Sequence, residues 1–411
     1  VRGTHDILPE EGRRHRQVVE MAREQAERYG FGEIATPIFE FTEVFQRTMG
    51  ESSDVVTKEM YTFKDRGDEQ ITLRPEYTAG IARAFISGGL RQDLPLKFFG
   101  HGPMFRYERP QKGRLRQFHQ IDAEILGVAE PQADIEVVAL GADILAALGL
   151  AGRVRLEINT LGDRESRGAY RQALVAYFSQ HLDALSEDSR ARLERNPLRI
   201  LDSKDPGDRE LIPEAPRLGD YLNRHSADFY AEVRAGLEAI GIEFQHNERL
   251  VRGLDYYTHT AYEFVTDELG AQGAVIAGGR YDGLIEALGG PPTPGIGWAG
   301  GIERLAMMVA EPPAPSRPIA VIPIGEVPDT KVLALVHDLR GRGHVVEHGY
   351  RGNLGKRLKR ANKLNARAAV LLGEDELARG AATVRDLDSG EQHEVALEGL
   401  AEALQSYLAK P

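Results

Sequence analysis

The sequence predicts two folded units: an α+β unit over residues 1–311, built on an antiparallel sheet with a helical insertion at 164–241, and a smaller α/β unit over 319–411. Three observations predict this. First, strand patterns follow one another without the crossover helix that a doubly wound parallel sheet requires. Phe118 to Leu126 alternates polar and apolar residues, VRLEINTLG reads as a strand before the insertion, and TAYEFVTDE and AQGAVIAGG read as strands after it. Second, alternation gives way to helical spacing in AYRQALVAYFSQHLDAL and ADFYAEVRAGLEAIG, which are joined by the polar NPLRILDSKDPGDRELIPEAP. Third, Pro312, Pro313, Pro315 and Pro318 break the helix suggested by Ile302, Leu305, Ala306 and Val309, because proline lacks the amide donor and blocks the preceding turn. Residues 312–318 therefore read as a linker. Beyond it, IAVIPIG, HVVEHG and AAVLLG read as strands, with helices in VLALVHDLRGRG and from Leu354 to Leu364 between them. Strands alternating with helices give the small α/β unit.

The chemistry concentrates in FRYERPQKGRLRQFHQIDAEIL, Phe105 to Leu126. The strand period of two puts Gln120, Asp122 and Glu124 on one face and Ile121, Ala123 and Ile125 on the other. The apolar face can pack on a core, so the polar face is expected to line a ligand cavity. Arg106 and Glu108 are expected to share a strand face upstream in the same way. Between the strands, Arg109 to Arg116 is too long and too basic for a tight turn and suits phosphate. An amphipathic hairpin with a solvated basic loop has the same pattern, so the residues alone leave both readings open.

Composition narrows the setting. A chain of 411 residues exceeds one ordinary core, and with no cysteine it has neither disulfides nor thiolate metal sites. It has no apolar run of signal-peptide type or membrane-span length, so a soluble cytoplasmic protein with no membrane contact is the expectation. The formal charge of −12 excludes a general nucleic-acid coat but leaves room for a local basic surface. Val1 in first place carries the expectation that a few residues precede it.

FRYERPQKGR resembles motif 2 of the class II aminoacyl-tRNA synthetases, and LVRGLDYYT, Leu250 to Thr258, resembles a signature of the histidyl-tRNA synthetase family. AGGRYDGL resembles that family's second histidine signature, GIGWAGGIERL resembles motif 3, and VRGTHDILP with TPIFEFTEVFQRTMGESSDVVTKEMYTF resembles its opening and motif 1. The resemblance covers nearly the whole chain. It implies the class II catalytic fold and a C-terminal anticodon-binding domain. It further implies activation of L-histidine by ATP to histidyl-adenylate, then transfer to the 3′ end of tRNA(His) by a bacterial-type enzyme.

Adenylation explains the residue types. It sets a carboxylate against the α-phosphorus of ATP, two anions that only fixed cations can bring together, and arginine stays charged and binds phosphate with a planar fork. The resemblance assigns Arg106 to the α-phosphate, Arg114 and Arg304 to the triphosphate with Glu108 beside them, and Arg252 to both the α-phosphate and the histidine carboxylate. Arg252 and Arg106 are the implied catalytic pair. For histidine it implies Glu124 and Tyr257 at the imidazole, Glu76, Thr78 and Gln120 around the ammonium, and Tyr281 in the pocket wall. A pocket that pairs both ring nitrogens rejects isosteres far better than shape alone. Any one of these arginines or tyrosines by itself would read as a surface ion pair or a core aromatic. Gly278-Gly279 and Gly300-Gly301 could admit ligand closely or merely ease packing, and AGGRYDG lacks dinucleotide-fingerprint spacing.

One departure stands at Tyr77, where many bacterial relatives have glycine. A ring beside Glu76 must point away from the pocket or reshape its edge. His344 and His348 read as solvated strand residues rather than a zinc pair, so no protein-held metal is expected; Mg²⁺ is expected with ATP. Lys356, Arg360, Lys363 and Arg367 are expected on one face of a helix, which suits tRNA phosphate or plain solvent. The segment around Thr36-Pro37-Ile38-Phe39 matches the dimer-forming motif 1, so a homodimer is implied. The alternative reading is a synthetase-like regulatory subunit of ATP phosphoribosyltransferase, a paralogue that lacks the anticodon-binding domain and intact histidine signatures. A tRNA-binding protein without catalysis would not require the combined arginines and histidine pocket.

Overall fold

The structure, a computed structural model, describes every residue except 51, 52, 54, 202, 252–255, 271, 272 and 408–411. The chain divides into two compact units, Val1–Pro312 and Pro313–Pro411.

The strands of the first unit are β1 (Gly32–Glu33), β2 (Phe39–Phe41), β3 (Tyr61–Lys64), β4 (Gln70–Leu73), β5 (Leu96–Phe105), β6 (Gln117–Leu126), β7 (Arg155–Thr160), β8 (Gln245–His246), β9 (Thr258–Val265), β10 (Ala274–Arg280) and β11 (Gly295–Gly301). Its helices are α1 (Pro9–Arg28), α2 (Thr42–Met49), α3 (Thr78–Ser87), α4 (Pro131–Ala147), α5 (Arg164–Ser179), α6 (Glu187–Arg195), α7 (Pro206–Leu211), α8 (Arg224–Ala239), α9 (Leu284–Ala287) and α10 (Ile302–Met308). Eight strands form one sheet in the order β1-β5-β6-β11-β10-β9-β7-β8. Its inner pairs are antiparallel, and only the short edge strands β1 and β8 run parallel to their neighbours.

The alternation in β6 sets the sheet's two faces. Ile121, Ala123 and Ile125 are buried in the core beneath the sheet with Val137, Leu140 and Ile144 of α4 and Val18 and Ala22 of α1. Full burial of each large aliphatic side chain contributes about 1.5–3 kcal/mol, so this layer fixes the register of β6 and thereby aims Gln120 and Glu124 the other way. Trp298 of β11 is tied into the same layer by Nε1–H donating to the Val137 carbonyl at 2.9 Å. Arg280 and Asp134 form a fully buried ion pair linking β10 to α4. Arg280 also donates to the carbonyls of Val128 and Glu130, which satisfies the guanidinium away from water.

One expectation is corrected here. The chain leaves the strand at Phe105, so Arg106 and Glu108 lie beyond β5 rather than on its face. The connection from Phe105 to Gln117 is longer than a tight turn, as expected, and within it Gln111 and Arg114 exchange backbone hydrogen bonds around Gly113 at φ +71°. In the insertion, α5 and α8 occupy the expected helical stretches. The polar joining segment also folds, as α7: Asp208 is buried and accepts hydrogen bonds from Ser186, Ser189 and Ser203.

The second unit carries β12 (Ile319–Pro323), α11 (Asp329–Gly341), β13 (Val346–His348), α12 (Leu354–Lys363), β14 (Ala368–Leu372), β15 (Ala381–Asp386) and β16 (Gln392–Ala396). The order is β13-β12-β14-β15-β16, parallel across the first three and antiparallel at the β14-β15-β16 end. The expected parallel strands are present, extended by a hairpin that the sequence reading did not anticipate. His344 is corrected as well: it is 4% exposed, outside β13, with Nε2 at 3.2 Å from the Ala401 carbonyl. Arg367 also departs from expectation. It lies beyond α12, which ends before Asn365 at φ +53°, and pairs with Asp386 at 2.7 Å.

Candidate functional site

On the polar face of β6, the strands and the basic loop border a cavity of about 310 Å³. Nine of the residues singled out from sequence line it: Glu76, Thr78, Arg106, Glu108, Arg114, Gln120, Tyr257, Tyr281 and Arg304. Glu124 lies just behind the wall, 1% exposed. Arg252 lies outside the described residues.

Glu124 reaches the cavity through the side chains that line it. Thr78 Oγ1 donates to Glu124 Oε1 at 2.5 Å, and the Tyr281 hydroxyl donates to Oε2. Burial pushes this carboxyl up from its ordinary 4.5 to about 8, against the lowering effect of those two donors. Gly297, opposite Glu124 in the ladder, must be glycine: a Cβ there would stand 1.6 Å from Glu124 Oε2. Burial also pushes the Tyr281 hydroxyl up, so it stays a donor.

Glu76 takes two backbone donors at the start of α3, from Thr78 N at 2.8 Å and Ala79 N at 2.7 Å. Its carboxyl is raised by burial, opposed first by the Ala79 amide. Gln120 leaves its Oε1 without a hydrogen-bond partner, an acceptor available to a ligand. Asp122, on the same face, does not line the cavity. It is 1% exposed, and burial followed by repulsion from Glu124 and Glu76 pushes its carboxyl well above the ordinary value.

Tyr77 points away from the cavity. Its hydroxyl donates to the Ile34 carbonyl at 3.0 Å, its ring lies under the Arg74 guanidinium, and it fills the space left by Gly100. The departure from glycine therefore fills the far side of the sheet edge.

Three cations, Arg106, Arg114 and Arg304, line the same cavity. Arg106 Nε donates to the Pro75 carbonyl at 2.8 Å, and its guanidinium carbon lies 5.4 Å from the Phe118 ring centroid. Arg114 pairs with Glu108. Arg304 Nε donates to the Gly113 carbonyl at 2.9 Å, and Nη1 to the Ala274 carbonyl at 2.6 Å, which ties α10 to the basic loop and to β10. Burial, then the nearby Arg114, lowers the Arg304 pKa, yet a guanidinium stays charged at neutral pH. This concentration of positive charge in a partly closed space suits a polyanion.

Two residues escaped the sequence reading. Tyr256 lines the cavity, with its ring 4.6 Å from Tyr257 and 5.9 Å from Tyr281, so three tyrosines wall one side. Glu303, next to Arg304, accepts from His119 N at 2.9 Å and from His119 Nδ1 at 2.8 Å, fastening the start of α10 to β6. With His15 these two form a cluster of metal-capable side chains, but the Glu303 carboxylate is already engaged by both His119 donors. Lys356, Arg360 and Lys363 lie in the other unit, exposed along α12, with Arg360 paired to Glu347 at 2.7 Å.

The histidyl-tRNA synthetase family profile matches residues 3–305, and an anticodon binding domain profile matches residues 318–407. The chain is 62% identical over 409 residues to the histidine–tRNA ligase of Rhodospirillum rubrum, covering 99% of each protein. It is 58% identical over 409 residues to that of Gluconacetobacter diazotrophicus, covering 100% of this chain and 98% of the other. The crystal structure of the apo S. aureus histidyl-tRNA synthetase aligns with a TM-score of 0.82 at 36% identity, over 98% of each chain. With a profile match across most of the catalytic unit and full-length identity at this level, the chain belongs to the histidyl-tRNA synthetase family.

Proposed function

We infer that this chain is a histidine–tRNA ligase, an aminoacyl-tRNA synthetase of protein biosynthesis that activates L-histidine with ATP and transfers it to tRNA(His). One observation carries the reading: a single cavity joins buried hydrogen-bonding groups around Glu124 to a cluster of three arginines. In this reading histidine lies with its imidazole toward Glu124 and Tyr257, beside Tyr281. Its ammonium lies among Glu76, Thr78 and Gln120. The carboxylate then points toward Arg106 and the segment carrying Arg252, where the α-phosphate of ATP would meet it. Arg114 and Arg304 hold the remaining phosphates. Mg²⁺ would come with ATP, held mainly by phosphate oxygens; Glu108 and Glu263, both lining the cavity, offer the oxygen donors it takes. The regulatory-subunit alternative is less supported, since the chain carries the anticodon-domain match over residues 318–407.

A cytoplasmic homodimer fits the same reading. Among the described residues no helix is long and apolar enough to cross a membrane. The three-stranded sheet β2-β4-β3 presents Phe39, Phe41 and Phe63 on one face, each about half exposed. An apolar face of this kind suits an isologous contact with a second copy. Sedimentation at micromolar concentration should give twice the 45.4 kDa chain mass, and a monomer would contradict the dimer.

Lys356, Arg360 and Lys363 are proposed contacts to tRNA phosphate. Neutralising all three should weaken tRNA(His) binding and lower the slope of log affinity against log salt by about 2–3, since roughly 0.7–0.9 of a counterion is released per phosphate contact. Charging of tRNA(His) with labelled histidine should fall with it through a higher KM. An unchanged salt slope would leave the α12 face to solvent and place the RNA surface elsewhere.

A further inference from the structure

We propose that Tyr350, backed by the ring of His348, is a stacking platform for an unpaired nucleobase at the carboxyl edge of the five-stranded sheet. The proposal rests on the tRNA reading above and deepens it by naming a side chain that takes a base. Phosphate contacts position an RNA without reading it, so a tRNA-binding unit also needs a surface that receives unstacked bases.

The topology places that surface. Successive residues of β12 face opposite sides of the sheet. Ile319 and Val321 pack with Val332, Val336 and Leu339 of α11, whereas Ala320 and Ile322 pack with Leu358 and Ala361 of α12. The two helices therefore cover opposite faces, and the chain steps from β13 on one side of β12 to β14 on the other. In open α/β sheets a ligand crevice forms at the carboxyl ends of the strands where the winding changes direction in this way. Here those ends are Pro323, His348 and Leu372.

The segment leaving β13 puts an aromatic pair at that edge. Gly349 N donates to the Val321 carbonyl at 3.0 Å, and Tyr350 N donates to the His348 carbonyl at 3.0 Å, so a tight turn anchored to β12 projects the Tyr350 ring outward. The ring centroids of Tyr350 and His348 are 4.6 Å apart at 51°. Tyr350 is 68% exposed, the highest value of any aromatic residue among those described. A lone exposed apolar side chain needs no explanation. This one is braced from one side and followed in the chain by the exposed cation Arg351, while exposed Lys356 lies against Gly352 two residues on and Arg357 is fixed to the Pro323 carbonyl. A braced ring beside cations is the arrangement that holds single-stranded nucleic acid, the ring taking a base and the cations its flanking phosphates. Because every base has a π-face, the platform supplies affinity without choosing the base.

The test measures binding of the full chain to tRNA(His) transcripts at fixed salt. Tyr350→Ala should weaken binding by roughly five-fold to a hundred-fold, the range for losing one base–aromatic stack, and Tyr350→Phe should keep most of the affinity. A transcript with an abasic site at the stacked anticodon nucleotide should bind the native chain weakly and lose nothing further on Tyr350→Ala. Native affinity in Tyr350→Ala would overturn the platform. So would an equal loss for a transcript with every anticodon base removed, because the substitution would then act on the fold. Failure of the unsubstituted chain to bind tRNA(His) or to exchange pyrophosphate with histidine would overturn the functional reading, and the platform with it.

Discussion

Arg252→Ala should slow histidyl-adenylate formation by about a hundred-fold to a thousand-fold, the loss typical of removing one fixed donor at a developing oxyanion. Histidine and ATP binding should change less, because beyond the charges of the bound carboxylate and α-phosphate Arg252 would meet the further charge that develops on the phosphoryl oxygens as the carboxylate attacks. The described part of the site makes the demand concrete. Arg106 is held by the Pro75 carbonyl and Arg304 by two other carbonyls, so each brings a fixed charge from the sheet side. Tyr256 and Tyr257, which follow the segment carrying Arg252 in sequence, line the same cavity. Single-turnover adenylation near the native rate in Arg252→Ala would contradict the role.

Glu124→Gln should weaken histidine binding on the order of 1–3 kcal/mol, the cost of mispairing a buried donor, and should also remove its pH dependence. In the free protein the Glu124 carboxyl is raised to about 8, so around neutrality it is protonated. An imidazole N–H favours the ionised form, so histidine binding must expel that proton. Apparent affinity should therefore rise with pH up to about 8, with proton release visible by calorimetry in buffers of different ionisation enthalpy. The stability effect has the opposite sense. A folded pKa raised from 4.5 to about 8 contributes stability that is full below the lower value and lost as pH climbs through the upper one. Equal proton release by the native chain and by Glu124→Gln would remove Glu124 from the imidazole.

The sequence was most legible where burial imposes a period. Ile121, Ala123 and Ile125 form part of the core, and that alone turns Gln120 and Glu124 toward the cavity. Legibility failed where the backbone stops following a period. Arg106 and Glu108 looked like strand neighbours because nothing in their spacing records that the ladder ends at Phe105. Arg367 continued the basic stripe of α12 on paper, but the left-handed turn at Asn365 had already ended the helix. Tyr256 was hidden beside Tyr257, since adjacent aromatics give no clue which of them faces a ligand, and both do. Glu303 was hidden because its partner His119 is remote in sequence. His344 read as solvated, yet the chain's last helices bury it, a contact that no local pattern could reveal.

The most direct test of the account is exchange of labelled pyrophosphate into ATP by the unsubstituted chain, run with each amino acid in turn and without tRNA. The predicted result is rapid exchange with histidine and only background with the others, because in the proposed reading the cavity would pair both imidazole nitrogens while the arginines would meet the α-phosphate. Absence of exchange with histidine, or equal exchange with asparagine or glutamine, would contradict it.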